Sequence, residues 1–219
     1  MPQLMDSSDP KQSMAWRWII VCWAAVVLLG WVAISRYEFS TTDRGLAGSQ
    51  LTWPESSSIP RSGESNTLLF FIHPLCPCTN ASLHELERVI DRADLARFPV
   101  SIVVVASVPK RSGRDWANTE IIRSALQLPN SQLHLDYGGI ESNRFAADVS
   151  GTTLLYSRDG NQLFAGGITI SRGHEGDNVG ASRLVAALNQ PQTIESTLTP
   201  VFGCQLCGEV PGPTESIIP

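Results

Sequence analysis

The sequence has no excess of positive charge and no internal repeat. Its 219 residues include 16 Lys and Arg against 21 Asp and Glu, which gives a net charge of −5 at pH 7. Nucleic-acid-binding domains usually present a basic surface, so we expect no nucleic-acid partner. The absence of a repeat excludes solenoid and propeller architectures. Apolar residues make up 42% of the chain, which is enough for a folded core.

Histidine and long apolar runs are also scarce. There are four histidines. The chain has one Cys-x-x-Cys motif, Cys204 to Cys207. Neither a second such motif nor a His pair completes a standard zinc-binding pattern. One run, residues 18–34 (WIIVCWAAVVLLGWVAI), has no charged residue and is bracketed by Arg17 and Arg36. It is long enough for a membrane-spanning helix, whereas the apolar region of a signal peptide usually has about 7–15 residues. We therefore expect an uncleaved membrane anchor.

The location of the remaining chain follows from its cysteines. The charges that flank the apolar run do not settle its orientation. A single N-terminal anchor followed by a cysteine-bearing domain suits an oxidising compartment. We expect a single-pass membrane protein with its soluble domain in such a compartment.

Composition divides the chain into five parts. The segment after the apolar run is polar and rich in Ser, Gly and Pro, which is typical of a flexible linker. The predicted parts are an N-terminal tail (1–17), a transmembrane anchor (18–34), a flexible linker (35–66), a folded domain (67–190) and a Pro/Gly-rich tail that contains a Cys-x-x-Cys motif (191–219).

Within the folded domain, buried strands alternate with amphipathic helices. Hydrophobic periodicity predicts strands at 67–73, 100–108, 131–137, 152–157 and 162–169, and helices at 79–93, 115–126, 140–149 and 180–189. The order β-α-β-α-β-α-β-β-α predicts an α/β fold with a central sheet flanked by helices. The last two strands form a hairpin with an Asp-Gly turn, which adds antiparallel strands to the sheet.

The Cys76-Pro77-Cys78 motif lies between the first predicted strand and the first predicted helix of this domain. At a helix N-terminus, the helix dipole and free backbone N–H groups favour a thiolate. Such a pair of cysteines indicates either thiol redox chemistry, with Cys76 as nucleophile and Cys78 as resolving thiol, or binding of a soft metal such as Cu(I) or Zn(II). Four of the five cysteines form two close pairs, Cys76 with Cys78 and Cys204 with Cys207. The fifth, Cys22, lies in the apolar run and has no expected chemical role.

Two further groups accompany this motif. His73 directly precedes it, as a possible proton acceptor, metal ligand or structural histidine. Cys204 and Cys207 have the Cys-x-x-Cys spacing of redox dithiols and of half zinc sites. A tail that folds back would bring all four cysteines into a relay or a Cys₄ metal site.

The strand–Cys–helix start and the β-β-α finish resemble the thioredoxin-like superfamily. The segments HPLCPCTNASLHELE (73–87), GGITISRGHEGDN (166–178) and VFGC (201–204) are similar to membrane-anchored, redoxin-type bacterial proteins labelled RedB. This resemblance spans roughly residues 67–207. It implies a thioredoxin-like fold behind an N-terminal transmembrane helix, and says little about the substrate.

The sequence departs from thioredoxins in two ways. One residue, not two, separates Cys76 from Cys78. Thioredoxins also place a cis-proline before the first strand of the hairpin, where it helps to bind the substrate chain, but the matching residues 150–153 (SGTT) contain no proline. These departures put standard exchange with protein substrates in question.

With thioredoxin-like topology, the loop 171–178 returns to the side of the sheet that carries the cysteines. His174 could then act as a general base for a thiol, and Arg172, Glu175 and Asp177 would lie near it. The alternative is a solvated Gly-rich loop in which Asp177 or Asn178 caps the last helix.

The sequence and this resemblance thus favour a membrane-tethered thiol–disulfide oxidoreductase. We expect it in the bacterial inner membrane, with its soluble domain in the periplasm. We expect no cofactor and a partner that is a thiol or disulfide, either a protein or a small molecule. The alternatives are a metallochaperone or other metal-binding protein that holds Cu or Zn through Cys76 and Cys78, a thiol peroxidase, and a non-enzymatic adaptor.

Overall fold

The computed structural model describes residues 10–39, 50–190 and 196–206. The chain divides into two compact units, residues 1–40 and residues 41–219. The described residues of the first unit, 10–39, form the helix α1 (Pro10–Glu38). Within α1, the 23 residues Trp16–Glu38 are long and apolar enough to cross a membrane. This length and composition fit both a membrane anchor and an N-terminal signal sequence.

The second unit is built around a six-stranded mixed sheet. Its strands are β1 (Asn66–Ile72), β2 (Val100–Val108), β3 (Ser131–Tyr137), β4 (Thr152–Tyr156), β5 (Gln162–Gly166) and β6 (Thr197–Thr199). The strand order is β3-β2-β1-β4-β5-β6. The first three strands are parallel, whereas β4 is antiparallel to both β1 and β5. This is the thioredoxin-like arrangement that the resemblance implied, extended at one edge by β6, which pairs parallel with β5.

Helices cover both faces of the sheet. They are α2 (Cys78–Arg92), α3 (Glu120–Ala125), α4 (Ile140–Arg144) and α5 (Val179–Asn189), together with a short 3-10 helix at Arg114–Ala117. Side chains of β1 alternate between two cores because successive residues of a strand point to opposite faces. Leu68, Phe70 and Ile72 pack with residues of α2 and α5, while Leu69 and Phe71 pack with residues that include Phe145.

Two predicted helices are shorter than the sequence indicated. The predicted helix 115–126 is interrupted at residues 118–119, because the Thr119 hydroxyl accepts a hydrogen bond from the Ile122 N–H and so starts α3 anew. The predicted helix 140–149 ends at Arg144. Ala146 has a φ of 52°, a left-handed conformation that no α-helix continues through.

Residues 50–65, which the sequence assigned to the flexible linker, pack onto the domain. Ile59 is buried among the residues of the second core. The ring of Trp53 lies edge-on to Phe145 and Tyr156, at centroid distances of 5.1 and 5.2 Å. The Tyr156 hydroxyl also donates a hydrogen bond to the Gln50 carbonyl. The folded domain therefore begins before residue 67, and residues 40–49 of the predicted linker lie outside the described residues.

The predicted C-terminal tail also contributes to the domain. Besides β6, residues 200–206 are described, and Val201 and Leu206 are buried. The packed domain thus extends beyond residue 190. Residues 191–195 and 207–219, including Cys207, lie outside the described part of the chain.

Candidate functional site

Three cysteines from two distant parts of the chain meet at the end of β1. The Sγ atoms of Cys76, Cys78 and Cys204 all lie within 4.8 Å of one another. Cys76 is buried, with 2% of its surface exposed, and the other two are partly exposed. The structure therefore joins Cys204 to the predicted pair. His73 and His174 are not members of this cluster, which is the group of potential metal ligands found among the described residues.

The local chain path explains the position of Cys76. After β1 the chain makes a tight turn, in which the Cys76 N–H donates to the His73 carbonyl at 3.0 Å. The Thr79 N–H then donates to the Cys76 carbonyl, also at 3.0 Å. Helix α2 begins at Cys78, and Pro77 occupies its N-cap position without a side-chain capping bond. The thiols consequently lie where the helix dipole favours negative charge.

A buried hydroxyl pair, formed by Ser150 and Thr79, stabilises this turn. The Ser150 Oγ accepts a hydrogen bond from the His73 N–H at 2.9 Å and lies 2.8 Å from the Thr79 Oγ1. Ser150 and Thr79 are both almost completely buried. Sequence patterns assigned no role to either residue, although Thr79 directly follows Cys78 and Ser150 is the first residue of the segment 150–153. They fix the end of β1 and the start of α2 relative to the loop that precedes β4.

The three thiols have different affinities for protons. Burial by itself would raise the pKa of Cys76. Hydrogen bonds from the thiol and main chain of Cys204 outweigh this effect, with smaller contributions from the Cys78 main chain and the Thr79 hydroxyl, so the pKa of Cys76 is lowered. Burial and then the neighbouring charge on Cys76 raise the pKa of Cys78. Cys76 is therefore the thiol of the cluster that ionises most readily.

Cys204 holds its proton most tightly. Burial is the largest cause, and the hydrogen bond and negative charge of the Cys76 sulfur add to it, raising the pKa of Cys204 to about 12. Its thiol thus serves as a hydrogen-bond donor to the Cys76 thiolate.

His73 has a structural contact on its ring. Its Nδ1 accepts a hydrogen bond from the Leu75 N–H at 3.2 Å, and its ring packs edge-on against Trp116 at a centroid distance of 6.2 Å. Burial lowers the pKa of His73, so its neutral form is favoured.

The loop 171–178 lies next to the cysteines. A Cβ atom placed on Gly173 would lie 3.8 Å from the Cys78 Sγ. Burial and the charge on Cys76 raise the pKa of Cys78, and the positive charge of Arg172 acts in the opposite direction. The Arg172 guanidinium also donates a hydrogen bond to the Gly203 carbonyl. Arg172 thus connects this loop to the segment that carries Cys204.

The remaining predicted residues of this loop make contacts away from the thiols. The His174 Nδ1 lies 2.7 Å from the Arg172 carbonyl oxygen. Glu175 pairs with His84 and Arg88 on α2, each at 2.7 Å, and these partners lower the pKa of Glu175. Asn178, not Asp177, caps α5 by accepting a hydrogen bond from the Ala181 N–H at 2.8 Å. A catalytic role for His174 stays a prediction.

Comparison with known proteins identifies the fold and no closer relationship. No family model and no curated protein matches the chain. An uncharacterised conserved protein from Geobacillus kaustophilus is 21% identical, with 68% of this chain and 79% of that chain covered and a TM-score of 0.53. A hypothetical protein from Sinorhizobium meliloti is 16% identical, with 74% and 96% covered and a TM-score of 0.53.

A secreted disulfide oxidoreductase from Mycobacterium tuberculosis is more distant in structure. It is 22% identical, with 58% of this chain and 84% of that chain covered and a TM-score of 0.40. At these identities, similarity in structure shows the fold alone, and the reaction has to be argued from the residues of the site.

Proposed function

We propose that the domain carries out thiol–disulfide exchange, with Cys76 as the attacking thiol. The observation that supports this most strongly is the cluster of three sulfur atoms, Cys76, Cys78 and Cys204, within 4.8 Å of one another. A disulfide bond needs sulfur atoms about 2.05 Å apart, so small side-chain rotations would join two of these thiols. Hydrogen bonds from Cys204 and the position at the N-terminus of α2 give Cys76 an environment that favours its thiolate.

The reaction requires a partner that contains a disulfide bond. The Cys76 thiolate attacks one sulfur of that bond, a mixed disulfide forms, and the second partner sulfur leaves as a thiolate. A second thiol of the domain, Cys78 in the sequence-based hypothesis, then attacks the Cys76 sulfur and releases the first partner sulfur. The domain loses two electrons and two protons and retains one internal disulfide, while the partner is reduced to two thiols.

We also propose that this chemistry takes place beside a membrane. Helix Trp16–Glu38 would anchor the domain to the bacterial inner membrane, with the cysteines in the periplasm. The similarity of the Cys76-Pro77-Cys78 and 171–178 motifs to RedB-type proteins supports this assignment. In this arrangement His174 would assist proton transfer near the cluster.

Replacement of single cysteines in the full chain tests the exchange reaction. With a dithiol reporter and a disulfide substrate, Cys76→Ser should abolish turnover, because no other thiol of the cluster has a lowered pKa. Cys22→Ser is the matched control, since Cys22 lies in the apolar helix α1, and should keep full turnover. Undiminished turnover by Cys76→Ser would refute the proposal.

Binding of a soft metal ion is the second candidate function. Three cysteine sulfurs that converge on one point, with a separation of at most 4.8 Å, match the ligand type that Cu(I) and Zn(II) prefer. The residues that would hold the ion are Cys76, Cys78 and Cys204, and bound metal would keep all three sulfurs as thiolates.

Metal analysis distinguishes the two candidates. Full chain prepared under reducing conditions is incubated with Cu(I) or Zn(II), passed through a desalting column and analysed for metal. A metal-binding function predicts one ion per chain, lost in Cys204→Ser and retained in Cys22→Ser. An absence of stoichiometric metal, together with turnover of the disulfide substrate, leaves thiol exchange as the function.

A further inference from the structure

The segment that carries Cys204 is attached to the loop before β4 as an additional extended chain. The Ser150 N–H donates to the Cys204 carbonyl, and the Leu206 N–H donates to the Asp148 carbonyl, each at 2.8 Å. Between these bonds, Val149 and Gln205 form an antiparallel bridge. An extended partner chain that docks by strand addition uses main-chain groups of this kind. Here the protein's own C-terminal segment occupies them.

Side-chain packing fixes the same segment on both sides of Cys204. Val201 and Leu206 are 5% and 6% exposed, and Leu206 packs within the second core. Gly203 approaches the loop so closely that a Cβ atom on it would lie 2.0 Å from the Ser150 carbonyl oxygen. Arg172 adds a hydrogen bond to the Gly203 carbonyl. Cys204 is therefore held beside Cys76 by contacts that do not involve either sulfur.

The alternative pair, Cys76 and Cys78, is constrained by the residue between them. Pro77 has φ −64° and ψ −27°, and it forms the first step into α2. A bridge across this single residue closes a small ring within the turn, where the proline ring fixes φ and the main chain is already hydrogen-bonded to Thr79. A bridge from Cys76 to Cys204 joins two segments that the fold has already brought together.

We propose that Cys204 is the resolving thiol of Cys76. This inference rests on the proposed function, and it assigns to Cys204 the resolving role that the sequence-based hypothesis gave to Cys78. In the mixed disulfide, the Cys204 sulfur attacks the Cys76 Sγ, a Cys76–Cys204 bond forms, and the partner sulfur leaves as a thiolate. The proton of the Cys204 thiol passes to the departing sulfur or to solvent. The partner gains both electrons, and the two cysteines are oxidised to one disulfide.

Trapping of the mixed disulfide tests this assignment. Full-length protein in detergent, with Cys22→Ala and Cys207→Ser as the common background, is reduced and mixed with oxidised glutathione. The reaction is stopped with acid, and intact mass and peptide mapping identify the linked cysteines over time. We expect the background protein and its Cys78→Ser variant to form a Cys76–Cys204 disulfide. The Cys204→Ser variant should stall as a Cys76–glutathione adduct that persists at least about tenfold longer.

The outcomes separate this inference from the proposed function. A Cys78→Ser variant that stalls, alongside a Cys204→Ser variant that resolves, would overturn the role of Cys204 and leave thiol exchange intact. If no protein forms a glutathione adduct or a disulfide at Cys76, the proposed function itself fails.

A variant that keeps all three cysteines tests the positioning. In Gly203→Ala, the added Cβ would collide with the Ser150 carbonyl, so the segment has to move away from the loop. We expect resolution to slow by about tenfold or more, because the two sulfurs lose their fixed proximity. Gly63→Ala is the matched control, since a Cβ there meets no atom within 4 Å, and it should resolve at the background rate. Equal rates for the two variants would contradict a positioning role for this segment.

Discussion

The main-chain N–H of Ser150 donates a hydrogen bond to the carbonyl of Cys204 at 2.8 Å. The Ser150 hydroxyl, on the same residue, accepts a hydrogen bond from the His73 N–H at 2.9 Å. Through this one serine, the end of β1, the loop before β4 and the C-terminal segment are connected. The geometry of the three-cysteine cluster therefore depends on a residue that carries no sulfur and whose side chain does no chemistry in the proposed reaction.

Replacement of Ser150 should destabilise the domain. In Ser150→Ala the partly buried His73 N–H loses its hydrogen-bond acceptor, and the buried Thr79 hydroxyl loses a neighbour at 2.8 Å. An unsatisfied buried polar group costs about 1–3 kcal/mol, so we expect the free energy of unfolding to fall by that amount. Urea unfolding followed by circular dichroism measures it. Ser182→Ala, on the exposed side of α5, should change it by less than about 0.5 kcal/mol.

Truncation of Phe145 should have a larger effect. Its side chain is fully buried, and its ring contacts those of Phe71 and Tyr156, each at a centroid distance of 5.9 Å. We expect Phe145→Ala to lower the free energy of unfolding by about 3–5 kcal/mol, because a cavity replaces the ring. Leu133→Ala, at a position that is 38% exposed, is the control. Similar losses for both variants in the same urea titration would show that the second core is not organised around Phe145.

The part of the predicted linker that packs on the domain can be tested at Trp53. Its ring lies edge-on to Phe145 and Tyr156, and such aromatic pairs contribute about 0.5–1.5 kcal/mol each beyond the burial of their area. Trp53→Ala should therefore reduce the stability of the domain by at least about 1 kcal/mol in urea unfolding. Leu51→Ala, at a side chain that is 68% exposed, should have little effect. A linker that is not part of the domain would give no difference between the two.

Glu141 should make the stability of the domain depend on pH. Burial tends to raise the pKa of its carboxyl group, but hydrogen bonds from Ser57, Ser58 and Arg144 outweigh burial and lower it. Because the folded pKa lies below the unfolded value, Glu141 contributes its full stabilisation above the unfolded pKa, about 4.3, and loses it as the pH falls through the folded pKa.

Unfolding midpoints measured from pH 7 down to pH 3 test this dependence. Glu141→Gln should be less stable than the unmodified chain near pH 7, and the difference should shrink on acidification below about pH 4.3. Glu55→Gln, at an exposed residue, should follow the unmodified chain throughout. A difference that grows on acidification would mean that the sign of the Glu141 effect is wrong.

Periodicity in the sequence predicted most of the sheet and its flanking helices. The strands β2 and β3 have the predicted bounds, because a run rich in β-branched residues and a clear alternation are local signals. Residues 115–126 were harder to assign, since one hydroxyl, that of Thr119, divides the predicted helix through a capping bond. The strand β6 was missed, because three residues of β-propensity give no detectable period.

The candidate site was predicted in part. The Cys76-Pro77-Cys78 motif and its place at a helix start could be predicted from adjacent residues, whereas the return of the loop 171–178 to the same edge was inferred from the thioredoxin-like topology that the resemblance implied. Asn178 as the cap of α5 was one of two candidates, and the structure selects it. The buried pair of Ser150 and Thr79 gave no signal, because a hydroxyl in a turn is common and its burial depends on residues far along the chain.

The sequence by itself determined the order of the first five strands and of the helices that flank them, the apolar N-terminal helix, and the presence of two thiols where a strand meets a helix. These properties depend on neighbouring residues, since backbone propensity and side-chain periodicity act over a few positions. Only the tertiary structure decided that Cys204 joins Cys76 and Cys78. That contact depends on main-chain hydrogen bonds to the loop before β4, on the close approach of Gly203 to Ser150, and on the burial of Leu206 in a core built from distant residues. No local pattern encodes a contact between segments so far apart.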